Sequence, residues 1–147
     1  MAVNFFNIEL LPNLPKRKKL KAFICELFKT KGYVVGNITY VFCSDKYLIK
    51  LNQEFLNHNT LTDIITFTLS EPGKPVEAEI YISNERVKYN AKQYAVSYNN
   101  ELHRVIFHGA FHLCGYDDKT KKDKTLMRLL ENRSLSKYFC KNVSRGT

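Results

Sequence analysis

The hydrophobic and polar positions of this 147-residue chain alternate between two periods. The run "VNFFNIEL" near the start reads as a strand, stopped by Pro12 and Pro15. From Lys16 to Lys31, Leu20, Phe23, Ile24, Leu27 and Phe28 recur at helical spacing, with most lysines outside that stripe. Gly32 closes this helix. "NITYVFC" returns to strand alternation. Asp45 is placed to cap a helix through "KYLIKLNQEFL". "TDIITFTL" is rich in β-branched residues and reads as a strand, "SEPGKP" as a turn, and "VEAEIYIS" as a further strand. "NERVKYNAKQYAV" reads as a helix, followed by one that Asn99 or Asn100 would cap. "KDKTLMRLLENRSLSKYF" reads as the last helix. Interspersed strands and helices of this kind predict an α+β (α/β-like) class. We expect a single compact domain, residues 1–147, with a small mixed β-sheet of about four strands packed with about five helices.

The helix expected within "NNELHRVIFHGAFHLCGY" carries three of the four histidines. Its apolar stripe is Leu102, Val105, Ile106, Ala110 and Leu113. His108 and His112 fall on the flank of that stripe, together with Glu101, so they face a cleft rather than the core. Four residues apart, the two imidazoles point the same way and can reach one ion. His103 falls on another face and reads as ordinary surface. Gly109, inside the helix, costs about 1 kcal/mol relative to alanine, which a strand packed across it or a substrate segment would explain. Gly115 suits the left-handed residue that closes a helix, after which the chain can bring Asp118 back toward the histidines. Two imidazoles and a carboxylate form a legitimate zinc set with an open position. The residue after the first histidine is Gly109, not the glutamate of the H-E-x-x-H zinc peptidases, which argues against that class.

Charge adds a second clue. The chain carries +9 overall, and residues 16–31 hold seven Lys/Arg against one Glu. Residues 119–147 hold nine against two, while residues 32–118 hold seven basic and ten acidic side chains. Basic flanks around a mildly acidic centre draw phosphate-rich partners, although such faces also simply keep a helix solvated. The start of the chain lacks a signal-peptide pattern and no uncharged apolar run spans a bilayer, so no membrane role is expected. Cys25, Cys43, Cys114 and Cys140 are scattered without a C-x-x-C pair and read as reduced thiols.

Three segments together resemble the YbeY family. "ELHRVIFHGAFHLCGYDD" is similar to its H-G-x-x-H-L-x-G-Y-D-H signature. "LNQEFLNHNTLTDIITF" is similar to L-N-x-x-[YF]-R followed by T-D-V-L-S-F, and "AEIYIS" to G-D-I-x-I-S. The resemblance implies a cytoplasmic, metal-dependent, single-strand-specific endoribonuclease. The associated roles are rRNA maturation and ribosome quality control, and the implied partners are rRNA precursor and the small ribosomal subunit or its proteins. It also implies a compact α/β domain with a three-histidine metal site, usually zinc. His108 and His112 take the first two ligand positions. Asp118 stands where the family has its third histidine, which hardens the site and admits manganese or another divalent ion. The family's arginine is replaced by Leu56, with His58 as a neighbouring substitute. Ala78-Glu79 stands for the family's G-D. On this reading Asp63 and Glu79 are candidate general bases, and Asp117 orients a histidine or the loop. Lys16, Arg17, Lys18 and Lys19 are candidate RNA contacts. Two other readings stay open: a non-catalytic rRNA-binding assembly factor with a structural metal, and a metal-dependent hydrolase of a non-RNA substrate.

Overall fold

A computed structural model describes residues 2–8, 14–56 and 62–140. Four strands form one sheet: β1 (Ala2–Asn7), β2 (Val35–Cys43), β3 (Ile64–Thr68) and β4 (Val76–Ser83), in the order β1-β2-β4-β3. β1, β2 and β4 run parallel, and β3 pairs antiparallel with β4 at the edge. Five helices accompany them: α1 (Arg17–Thr30), α2 (Asp45–Leu56), α3 (Asn84–Gln93), α4 (Tyr98–Leu113) and α5 (Lys121–Tyr138). This is the α+β class with a small mixed sheet that the alternation of periods predicts.

The sheet has two unequal faces. On β4, Val76, Ala78, Ile80 and Ile82 are buried, whereas Glu77 is exposed and Glu79 and Tyr81 are half-buried. That period of two sends the aliphatic set toward α1 and α4, where the main core gathers with Ile38, Tyr40 and Phe42 of β2. α2 covers part of the other face through Leu48 and Leu51, packed with Ile65, Phe67 and Tyr81. Burying one such aliphatic side chain contributes about 1.5–3 kcal/mol.

α4 is the central element. Its buried set runs through Leu102, Val105, Ile106, Gly109 and Ala110, and Tyr40 of β2 donates its hydroxyl to the Ile106 carbonyl at 2.9 Å. A Cβ added at Gly109 would stand 3.0 Å from Ile64 Cδ1 and 3.2 Å from Ile80 Cγ2. The glycine is therefore explained by strands β3 and β4 crossing the helix.

Several caps differ from the expectation by one or a few residues. Ser97, not Asn99 or Asn100, caps α4, accepting from the Asn100 amide. Ser44, rather than Asp45, accepts from the Tyr47 amide at the start of α2. Asp45 instead accepts from the Ser83 hydroxyl at 2.6 Å and pairs with Arg86 at 3.2 Å. α5 opens on a reciprocal capping box between Thr120 and Asp123. All four cysteines are free. No helix among the described residues is long and apolar enough to cross a membrane.

Candidate metal and nucleic-acid cleft

α3, α5 and β3 each pack against α4. Between these elements opens a cavity of about 400 Å³. Asp63 enters it from just before β3, Glu101, Arg104, His108 and His112 from α4, and Asp118, Lys124, Arg128 and Glu131 from the last loop and α5.

Asp118 returns to the histidines because of how α4 ends. Gly115 has φ +94°, and the amides of Gly115 and Tyr116 donate to the carbonyls of His112 and Phe111 at 3.0 and 3.1 Å. This is the Schellman pattern, completed by an edge-on contact of Tyr116 with Phe111 at 5.9 Å. After that reversal, Asp118 Oδ2 stands 3.4 Å from His108 Nε2. Two arms of a tetrahedral zinc with bonds near 2.0–2.2 Å are themselves separated by about 3.4 Å, so this pair fits one divalent ion. His112 is exposed and lines the same cavity. Among the described residues no three His, Cys, Asp or Glu side chains are gathered tightly enough to form a ligand cluster.

Glu131, on α5, is the member that the signature motif does not flag. It is 5% exposed, and its Oε2 accepts from His108 Nδ1 at 2.7 Å. Arg104 donates to its other oxygen at 3.0 Å and to Asn132 Oδ1 at 2.9 Å. A proton held at Nδ1 leaves the Nε2 lone pair facing Asp118, which is how metal-binding histidines are commonly oriented. Burial pulls the His108 imidazole down, but the hydrogen bond and charge of Glu131, with Asp118 and Asp63 adding, raise it overall. The signal in the sequence is a glutamate on the same helix face as Met127, Leu130 and Leu135, which becomes legible only when α5 is placed on α4.

The other carboxylates divide. Asp63 is held above the usual carboxylate range by burial, opposed by His108 and reinforced by Glu131 and Asp118, and Asn90 donates to it at 3.4 Å. Glu101, beside Arg104 at 3.7 Å, is pushed up to about 7 by burial, with Arg104 opposing. Glu79 is not with them. Strand alternation turns it away from Ile80, toward the α2 face, where it accepts from the Tyr81 hydroxyl at 3.0 Å. Asp117 is exposed and does not line the cavity.

His103 is the clearest correction. It is fully buried, stacked on Tyr138 at 5.3 Å, with Nδ1 donating to the Asn99 carbonyl at 2.8 Å. The helix face expected to be surface is covered because α5 returns across α4. Lys16, Arg17, Lys18 and Lys19 do not line the cavity. Lys19 instead donates to the Tyr138 carbonyl at the far end of α5. His58 lies outside the described residues, and Leu56 ends α2, away from the cavity.

An α+β domain with a histidine–carboxylate cleft on one side of a mixed sheet is the class defined here. A family model described as endoribonuclease YbeY matches residues 13–139, and the chain belongs to that family. An endoribonuclease YbeY of Cytophaga hutchinsonii is 42% identical over 132 residues, covering 90% of this chain and 92% of that protein. One from Porphyromonas gingivalis is 45% identical over 125 residues, covering 85% and 82%. Among solved structures, the solution structure of a Thermotoga maritima protein superimposes with a TM-score of 0.62 at 25% identity. It covers 92% of this chain and 88% of that one.

Proposed function

We propose that this chain is a metal-dependent endoribonuclease that cuts single-stranded RNA in rRNA maturation. His108, His112 and Asp118 hold one divalent ion, zinc first and manganese second, because Asp118 contributes a hard oxygen. The observation that carries the reading is the Glu131–His108–Asp118 line at 2.7 and 3.4 Å, in a chain of the endoribonuclease YbeY family. A bound divalent ion supplies Lewis acidity toward a phosphoryl oxygen and makes water more acidic. Glu131 fixes the tautomer of His108 and holds its ring in place. Asp63 takes a proton from the attacking water, since burial brings its carboxyl closer to the working pH. Asp117 acts on the loop that carries Asp118. The cellular reading is a cytoplasmic enzyme that works on rRNA precursor at the small ribosomal subunit, with ribosome quality control as the wider role.

The decisive experiment uses highly purified protein and a labelled single-stranded RNA. His112→Ala abolishes cleavage while RNA binding survives. Cleavage that persists unchanged overturns the reading. A second reading, a non-catalytic rRNA-binding factor with a structural metal, draws on the basic residues that flank the acidic centre of the chain. It gains if neither the unsubstituted chain nor the variant cuts RNA while both bind it.

A further inference from the structure

The floor of the cleft is acidic. Asp63, Glu101, Asp118 and Glu131 all face it, and Arg104 is engaged by Glu101, Glu131 and Asn132. A polyphosphate strand entering such a site needs cations elsewhere on the wall. The position corresponding to the family's arginine is Leu56, which carries no charge and does not line the cavity.

α5 carries the compensating charge. Lys124 and Arg128 both line the cavity and sit four residues apart, on one helix face. The Lys124 ammonium has no hydrogen-bond or ion-pair partner among the described residues. Arg128 is 53% exposed and reaches Glu131 Oε1 only at 3.8 Å, an oxygen that Arg104 already holds at 3.0 Å. Most of its guanidinium donors are left to face a ligand.

The α3 side of the same cavity offers a ring. Tyr94 lines the cavity and is 56% exposed. It ends α3, where Ala95 adopts φ +55°. The Ala95 and Val96 amides donate to the carbonyls of Lys92 and Ala91 at 3.3 and 3.0 Å, a Schellman turn built without glycine. A non-glycine residue in this conformation is strained by its Cβ. The turn places Tyr94 in the lining of the same cavity as the cations of α5.

Resting on the reading that the cleft acts on RNA, we propose that Lys124 and Arg128 hold backbone phosphates of a single strand while Tyr94 stacks on one of its bases. Cations tracking the backbone and an aromatic platform for the bases are the two components of sequence-tolerant single-strand binding. Stacking needs an unpaired base, so this pairing of groups selects single strands over duplex. The clamp belongs to α5, not to the α2 end where the family's arginine would stand.

The test reads binding alone, by fluorescence anisotropy of a short labelled oligouridylate, in the His112→Ala background. Lys124→Ala with Arg128→Ala weakens affinity at least about tenfold and reduces the slope of log affinity against log salt by about 1.4, two phosphate contacts at about 0.7 each. Tyr94→Ala weakens affinity at least about fivefold and leaves the salt slope unchanged, while Tyr94→Phe restores affinity. Thermal melts of all variants accompany the titrations, so that loss of fold is separated from loss of contact. A control removes the same charge elsewhere, Lys29→Ala on α1 with Lys74→Ala in the turn between β3 and β4, both exposed and outside the cavity lining. If the control lowers affinity and slope as much as the α5 pair, the effect is bulk charge and the clamp is overturned. Failure of Tyr94→Phe to restore binding overturns the stacking role. If the unsubstituted chain cleaves RNA but the α5 and Tyr94 variants bind as before, this inference falls alone. If the α5 and Tyr94 dependence holds in a chain that never cleaves RNA, the clamp stands and the enzymatic reading falls.

Discussion

His108 Nδ1 donates to Glu131 Oε2 across 2.7 Å, joining the middle of α4 to the middle of α5. The same carboxylate is pinned by Arg104, so the ring of His108 is held in one orientation by a buried, fully engaged acid. Metal affinity should depend on that contact. We expect Glu131→Ala to weaken divalent-ion binding about 10–100-fold, as loss of such an orienting partner does elsewhere. Glu131→Gln, which still accepts at one oxygen, should lose less. Competition of the metal-stripped protein against a chromogenic chelator measures both, and equal affinity in all three proteins contradicts the role.

Asp118 gives a second expectation. Asp118→Ala should weaken the same affinity at least about tenfold, a loss comparable to those produced by outer partners alone. Asp118→His should restore affinity and shift the preference from manganese toward zinc, since imidazole nitrogen is the softer donor. Metal content at equilibrium, measured without a histidine tag, decides this. Unchanged content in Asp118→Ala removes Asp118 from the ligand set.

Gly109 tests the packing of α4 on the sheet. Alanine would gain about 1 kcal/mol of helix propensity. Its Cβ would press on Ile64 Cδ1 at 3.0 Å and Ile80 Cγ2 at 3.2 Å, and overpacking of this kind costs about 1–3 kcal/mol. We expect Gly109→Ala to lower the melting temperature. Adding Ile64→Val, which removes the closest methyl, should recover part of the loss, a coupling that a double-mutant cycle reads directly. Strict additivity would show that the two side chains do not meet.

His103 predicts a pH dependence away from the cleft. Burial lowers its pKa, its hydrogen bond to the Asn99 carbonyl opposes that, and Lys19 lowers it further. The folded state therefore favours the neutral ring more than the unfolded chain does. Its stability contribution is present above the unfolded value near 6.5, and is lost as pH falls through the lower folded value. Melting temperature should drop on acidification below about pH 6.5, and His103→Phe should flatten that segment of the curve. A wild-type and variant pair with parallel acid limbs would contradict it.

The sequence by itself determined the elements and the histidine pair. Periodicity placed five helices and four strands, because burial on one face imposes a spacing of 3.6 or 2 whatever the neighbours are. It placed His108 and His112 on one helix flank and assigned Gly115 its left-handed closure. The tertiary structure decided which side chains meet. His103, expected at the surface, is covered by α5, and Glu79, one of two candidate bases, stands on the α2 face beside Tyr81. Glu131, Lys124 and Arg128 had no visible partner in the sequence, since each acts across a gap between helices far apart along the chain. Local spacing encodes which face of an element is buried. What that face is buried against depends on contacts between distant segments, and only the folded chain supplies them.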